Sequence, residues 1–166
     1  MGKEKVYAFE GRLATTHGRI SHTIIVVPDH IIESLPVSGR VRTKGTVNGT
    51  PFALAIQHKK VGSRYFMVGG PLRREARLRS GDPVKVSFWL VDPEQVDIPE
   101  ELAAVLSQDE EGAKVWKAFT PGEQRGLCHY VNSVKNVDSR IKRALKIVGK
   151  AKARQLHLQK QKQKKP

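Results

Sequence analysis

The residues of this sequence best suited to chemistry are the cations near its C-terminal end, which could bind phosphate groups. Residues 140–166 hold 11 of the 30 Lys and Arg residues and no Asp or Glu. Lysine and arginine bind phosphate through charge-assisted hydrogen bonds, and the segment has no aromatic residue for base stacking. We therefore expect any DNA or RNA binding to be weakly sequence-specific. The candidates are Lys142, Arg143, Lys146, Lys150, Lys152, Arg154, Lys160, Lys162, Lys164 and Lys165.

An acidic segment offers a second interpretation of the same cations. Residues 92–111 contain eight acids and no base, whereas the chain as a whole carries a net charge of +14. Opposite charges within one chain attract each other, so the basic tail could be solvated or could contact the acidic segment instead of an external anion.

A smaller group of arginines lies in the first half of the chain. Arg73, Arg74 and Arg77 fall in a short helical segment and could also reach nucleic acid. The alternative is a solvated arginine face that is paired with neighbouring acids such as Glu75 and Asp82.

Other reactive residues predict no catalytic, metal or cofactor site. None of the six histidines is spaced as HxxH, HxxxH or HExxH, the patterns typical of metal sites on helices. The single cysteine, Cys128, is followed by His129, and adjacent side chains on a helix point about 100° apart. We interpret Cys128 as a small buried hydrophobic residue.

A repeated pattern predicts the elements that would position these residues. Residues 23–28 and 65–71 each form an apolar strand that ends in proline, followed by a short helical segment, a Ser-Gly turn and another strand. The first copy predicts a buried strand from Ile20 to Val27, and Asn48-Gly49 predicts a hairpin. Two copies in one chain predict a pseudo-symmetric β-barrel that closes without a partner, and hence a monomer.

Beyond Asp92-Pro93 the apolar period changes from 2 to about 3.6, which predicts helices. Capping boxes are predicted at Ser107–Glu110 and Thr120–Glu123, and a last helix runs from about Asp138 to a possible end at Gly149. The Gln/Lys-rich residues 155–166 are predicted not to fold alone. The expected organisation is a barrel domain at 1–92, a helical region at 97–150 and a basic tail at 151–166.

Several of these segments resemble a known bacterial family. Residues 96–102, 118–125 and 134–143 are similar to the YdeI/OmpD-associated, or bacteriocin-protection, family, and residues 9–91 resemble a barrel domain of unknown function. The resemblance covers nearly the whole chain except about the last dozen residues. It implies a double-split β-barrel similar to the swapped-hairpin barrels of AbrB- and MazE-like proteins, and a link to stress or resistance, but no established reaction.

Together these features predict an α+β protein with a pseudo-symmetric double-split β-barrel followed by a small helical region. No apolar run approaches the roughly 20 residues that cross a bilayer, and no secretory signal is visible, so we expect a cytoplasmic protein. The first functional hypothesis is a non-enzymatic binding protein that uses its basic tail on nucleic acid. The second is a stress-linked module that binds a protein or small ligand, and the third is an enzyme with an unrecognised site.

Overall fold

The structure, a computed structural model, describes residues 4–58 and 62–164. The fold is α+β, as predicted. The chain divides into two compact units, Met1–Pro93 and Glu94–Pro166. Among the described residues, the first unit contains seven strands and two short helices, and the second contains helices only.

The first unit is a nearly closed antiparallel barrel, which confirms the predicted barrel class. Its strands pair in the order β1-β7-β4-β5-β6-β3-β2. The strands are β1 (Tyr7–Arg12), β2 (Ala14–Thr15), β3 (Thr23–Val26), β4 (Val41–Val47), β5 (Thr50–His58), β6 (Arg64–Met67) and β7 (Pro83–Val91). The helices α1 (Asp29–Ser34) and α2 (Gly70–Glu75) follow β3 and β6.

The two sequence copies occupy equivalent places in the barrel. The strands before the short helices, β3 and β6, pair with each other, and the strands after them, β4 and β7, do the same. The Ser-Gly turns also match, because Gly39 and Gly81 adopt φ angles of +82° and +90°. The internal repeat is therefore a repeat of backbone structure.

The barrel core is apolar and rich in aromatic rings. Phe88 is fully buried and stacks on Tyr7 with a centroid distance of 5.2 Å, and it meets Phe66 edge-on at 5.4 Å. Among the described residues, Thr43 is a buried polar side chain, and its hydroxyl donates to the Leu54 carbonyl. The interior of the barrel is thus filled by side chains.

The strands β4 and β7 approach closely at Gly45. A Cβ atom there would lie 2.1 Å from the Ser87 carbonyl oxygen and 2.8 Å from the Phe88 Cα. Because both atoms belong to the neighbouring backbone, only glycine fits this position without displacing the strand.

The predicted hairpin at Asn48-Gly49 is confirmed, whereas the predicted strand from Ile20 to Val27 is too long. Asn48 and Gly49 both adopt positive φ, and the Asn48 side chain binds the Lys85 amide. Strand β3 begins only at Thr23, and Ile20 is 71% exposed. The residues before Thr23 form a loop, in which a β-branched side chain has no sheet neighbour to bury it.

The second unit packs five helices around one apolar cluster. Leu102, Val131 and Ala144 are fully buried in the cluster, next to Trp116 and Ile147. The helices are α3 (Glu100–Gln108), α4 (Glu110–Ala118), α5 (Pro121–Asn132), α6 (Val137–Lys152) and α7 (His157–Gln163).

One of the two predicted capping boxes forms. The Thr120 hydroxyl accepts from the Glu123 amide, and the Glu123 carboxylate accepts from the Thr120 amide, both at 3.2 Å. The predicted box at Ser107 is wrong, because Ser107 lies inside α3 and donates to the Ala104 carbonyl. Asp109 caps α4 instead, through a 2.8 Å bond from the Gly112 amide.

The C-terminal segment has more structure than its composition predicts. Helix α6 continues past Gly149 to Lys152, and α7 follows it. Leu156, 8% exposed, packs into the cluster, and the Gln159 side chain donates to the Ala151 carbonyl. Helix α7 is supported by these contacts with the rest of the unit, and that the segment would not fold alone stays a prediction.

Candidate nucleic-acid interface

Helix α6 presents a line of lysines on one side. Lys142, Lys146 and Lys150 are four residues apart, so they recur about every 6 Å along nearly the same face. All three are exposed. The apolar side of α6, with Ile147 and Val148, is buried in the helical cluster and fixes which face turns to solvent.

Three further exposed cations lie beyond the end of α6. Arg154 lies just after α6, and Lys160 and Lys164 lie on and just after α7, again four residues apart. We call the six residues Lys142, Lys146, Lys150, Arg154, Lys160 and Lys164 the basic surface. Within residues 4–58 and 62–164, none of the six forms an ion pair.

Lys152, another predicted candidate, has an internal partner. Its Nζ lies 2.7 Å from Asp109 Oδ2, and both side chains are partly buried. The hydrogen bond from Lys152, together with that from the Gly112 amide, lowers the pKa of Asp109. The bond to Asp109 likewise raises the pKa of Lys152. One tail cation thus contacts the acidic 92–111 segment, as the second interpretation of the sequence proposed.

Lys162 is paired in a similar way with the capping residue of α5. Its Nζ lies 2.8 Å from Glu123 Oε1. Burial acts to raise the pKa of Glu123, but the bonds from Lys162 and Thr120 outweigh burial, and the pKa is lowered. The capping role of Glu123 is visible in the sequence, whereas its ion pair spans 39 residues and gives no local signal.

Arg143 is held against helix α5. Its guanidinium lies 4.4 Å from the centroid of the Tyr130 ring, and it donates to the Tyr130 carbonyl and the Ser133 hydroxyl. This arrangement fastens α6 to the end of α5. Lys165, the remaining predicted tail candidate, lies outside the described residues.

The predicted barrel arginines line a depression at the end of α2. The depression has a volume of about 460 Å³ and is bordered by Arg73, Arg74, Arg77, Leu78 and Arg79. Arg73 donates to the Thr23 hydroxyl at 3.1 Å. The predicted pairing of these arginines with Glu75 and Asp82 does not form in the described structure, where the Asp82 carboxylate accepts from the Arg79 backbone amide.

An apolar groove between α3 and α6 was not predicted from the sequence. Val137, Ile141 and Leu145 are 57%, 39% and 56% exposed, and they face Ala104 and Val105 across a groove of about 660 Å³. The signal was present, because these three residues are four apart and form a second apolar stripe beside the buried one.

The lone cysteine is placed where thiolate chemistry is disfavoured. Cys128 is 4% exposed, and burial, aided by the charge of Asp97, raises the pKa of its thiol to about 11. The thiol is therefore protonated near neutral pH. The described residues contain no cluster of three or more His, Cys, Asp or Glu side chains placed to hold a metal.

Two family models match the chain, and their boundaries follow the two units. Residues 9–88 match a domain of unknown function (DUF1905). Residues 95–154 match the model described as bacteriocin-protection, YdeI or OmpD-associated. The helical unit thus resembles the YdeI/OmpD-associated family over most of its length.

This result confirms the resemblance seen in the sequence, and it places most of the basic surface in the YdeI/OmpD-associated domain. Lys142, Lys146, Lys150 and Arg154 lie within the match, whereas α7 begins after it. No curated protein matches the chain at a significant level. None of the described helices is both long enough and apolar enough to cross a membrane.

Proposed function

We propose that the protein is a non-enzymatic binding protein whose basic surface binds the phosphates of DNA or RNA. The observation that supports the proposal is that some C-terminal cations are paired with acids whereas others are not. Lys152 and Lys162 are neutralised by Asp109 and Glu123, whereas the six residues of the basic surface are exposed and have no acidic partner among the described residues.

The composition of the basic surface supports binding to backbone phosphates instead of base recognition. Base-specific readout uses side chains that reach base edges, and single-strand binding usually adds aromatic stacking. Residues 140–166 contain no aromatic side chain. The proposed ligand is therefore a polyanion recognised by its charge, and such a ligand fits the cytoplasmic location that the sequence predicts.

Neutralising the α6 lysines is the sharpest test of this proposal. We expect the triple variant Lys142→Gln, Lys146→Gln and Lys150→Gln to weaken binding and to reduce the slope of log K against log[salt]. The slope should change from roughly −5 to roughly −3, because about three of six phosphate contacts are lost. Fluorescence anisotropy with duplex DNA and single-stranded RNA over a salt series measures both quantities.

A matched control variant separates the effect of the basic surface on binding from the effect of net charge. The variant Lys114→Gln, Lys117→Gln and Lys135→Gln removes the same charge from exposed lysines elsewhere in the helical unit. We expect its salt slope to match that of the unsubstituted chain. Equal weakening by both triple variants would show that only net charge matters and would refute the assignment of the surface.

Point substitutions are preferable to removal of the tail. Truncation after Gly149 would delete Ala151 and Leu156, which are both buried in the core of the helical unit. The truncated chain would also lose the bond between Lys152 and Asp109. Loss of binding by a truncated chain could then reflect loss of structure.

The groove between α3 and α6 favours a second candidate function, a protein-interaction module. Its exposed stripe from Val137 to Leu145 is about 12 Å long, which suits two turns of an amphipathic helix. Lys142 and Lys146 flank the stripe on α6, and Glu100 lines the opposite wall. The matching partner is an amphipathic helix with an acidic edge facing the lysines and a basic edge facing Glu100.

The two candidates respond differently to substitution of the groove. Ile141→Ser and Leu145→Ser keep every charge of the basic surface, so nucleic-acid binding should be unchanged. Binding of an amphipathic helical peptide with the stated charge pattern should be lost in the same variants. A peptide that binds the unsubstituted chain, together with no binding of nucleic acid at low salt, would make the interaction module the better description.

A further inference from the structure

The four arginines at the end of α2 surround one depression and have no counter-ion among the described residues. Arg73, Arg74, Arg77 and Arg79 all line it, and no acidic side chain does. None of the four forms an ion pair within the described residues. Four like charges around one depression repel each other, and a bound anion would relieve the repulsion.

One of these side chains is held by a barrel strand, and a second lies against the first turn of its own helix. The Arg73 guanidinium donates to the Thr23 hydroxyl on β3. Arg74 lies over Gly70, where an added Cβ atom would approach its Nη1 atom to 3.1 Å. Side chains that are already oriented lose less conformational entropy on binding a ligand.

Arg77 has a backbone conformation that normally selects glycine. Its φ angle is +55°, and it follows the last turn of α2, where the Leu78 amide donates to the Arg73 carbonyl five residues earlier. Glycine is the usual residue at this helix-ending position, and a side chain there costs stability. Residues kept in a costly conformation are concentrated at functional sites.

The internal repeat supplies a comparison for the arginines. Helix α1, the counterpart of α2 in the first copy, has the sequence DHIIES, with two acids and no Lys or Arg. It begins after a proline and packs Ile31 into the same barrel core. A helix at this place in the fold therefore forms without arginines, and the arginines of α2 need another explanation.

We propose that this depression is a phosphate-binding site, separate from the basic surface on α6 and α7. Guanidinium groups bind phosphate oxygens in pairs and remain charged at any physiological pH. The phosphate could belong to a nucleic-acid end or to a free polyphosphate, since both present the same group. The site lies entirely within the barrel unit, so it does not depend on the proposed function of the helical unit.

The test uses the full chain and three single variants. Arg77→Gly removes one guanidinium and relaxes the backbone, so we expect about tenfold weaker binding of tripolyphosphate and a higher urea midpoint of unfolding. Gly70→Ala keeps every charge but places a methyl group 3.1 Å from the Arg74 Nη1 atom, and the small shift that this forces on Arg74 should weaken binding slightly. Arg40→Gln removes a charge beside the equivalent turn of the first copy and should leave affinity unchanged.

Isothermal titration calorimetry with tripolyphosphate gives the affinities, and two labelled oligonucleotides identify the source of the phosphate. Tighter binding of a 5′-phosphorylated oligonucleotide than of its 5′-hydroxyl form, lost in Arg77→Gly, would indicate a nucleic-acid end. Binding of tripolyphosphate with no preference between the oligonucleotides would indicate a free polyphosphate.

Absence of tripolyphosphate binding at low salt, or equal weakening by Arg77→Gly and Arg40→Gln, would overturn the proposed site. Neither result would affect the basic surface, because the lysine variants of α6 test that surface on their own. A chain that keeps tripolyphosphate binding after the α6 lysines are replaced would show that the two sites are independent.

Discussion

At the scale of single residues, the structure separates cations that the sequence could only group together. All ten tail candidates share a basic segment, but Arg143, Lys152 and Lys162 have partners that stabilise the helical unit. The distinction depends on contacts between residues distant in the chain, which periodicity does not reveal. The acidic 92–111 segment indicates that Asp109 could pair with a basic residue. The predicted capping box indicates that Glu123 has a structural role.

The close approach at Gly45 leads to a prediction about stability. Gly45→Ala places a methyl group against the backbone of β7, and we expect it to lower the free energy of unfolding by about 2 kcal/mol. The control is Gly11→Ala in β1, where the nearest atom to an added Cβ is 4.0 Å away. Urea unfolding measures both, and equal effects would contradict the close approach.

The pair formed by Asp109 and Lys152 leads to a prediction about pH. The pKa of Asp109 is lowered in the folded protein, so its ionised form stabilises the fold above the unfolded value of about 3.9. That stabilisation is lost as the pH falls through the lower, folded value. Asp109→Asn keeps the helix cap but loses the ion pair with Lys152.

We therefore expect Asp109→Asn to unfold at lower urea concentration than the unsubstituted chain at pH 7. The difference between the two midpoints should shrink as the pH is lowered below about 4, because both chains then have an uncharged side chain. The same difference at neutral and acidic pH would show that the ion pair does not contribute to stability.

At the scale of elements, patterns between neighbouring residues predict turns and caps, whereas contacts between different elements cannot be read from the sequence. Asn48-Gly49 and Thr120–Glu123 were predicted because turn and cap chemistry depends on neighbours in the sequence. Ser107 matched the same cap pattern, but α3 extends through it and Asp109 provides the cap. The sequence does not predict helix α7, because its support comes from Leu156 packing into the apolar cluster and from the bond of Gln159 to the end of α6.

The attachment of α7 can be tested through its buried leucine. We expect Leu156→Ala to destabilise the chain by about 2 kcal/mol, the lower end for a buried leucine, and to release α7. Hydrogen exchange of the α7 amides and urea unfolding measure the two effects. Gln163→Ala, an exposed position on the same helix, is the control and should change neither. Unchanged exchange in Leu156→Ala would contradict the attachment.

At the scale of the whole molecule, the internal repeat and the change of period at Asp92-Pro93 carried most of what the sequence predicted. The repeat predicts the barrel, because two copies of one pattern place equivalent strands side by side. The change in the apolar period predicts the helical unit. The monomeric state stays a prediction, motivated by the internal repeat, which supplies both halves of the barrel within one sequence.

Two arrangements of positive charge belong to two different units of this molecule. The basic surface lies on α6 and α7, and the arginine depression lies at the end of α2. Of these, the basic surface is the proposed nucleic-acid interface, because it has six cations without acidic partners in the described structure. Binding through such a surface depends steeply on salt, since it releases counterions from the nucleic acid.

The measurement that tests this claim most directly is anisotropy of labelled duplex DNA and single-stranded RNA with the unsubstituted full chain, over a salt series. We expect binding at low salt with little dependence on sequence, and a slope of log K against log[salt] of roughly −5 for duplex DNA. No binding at low salt, or an affinity that hardly changes with salt, would contradict it.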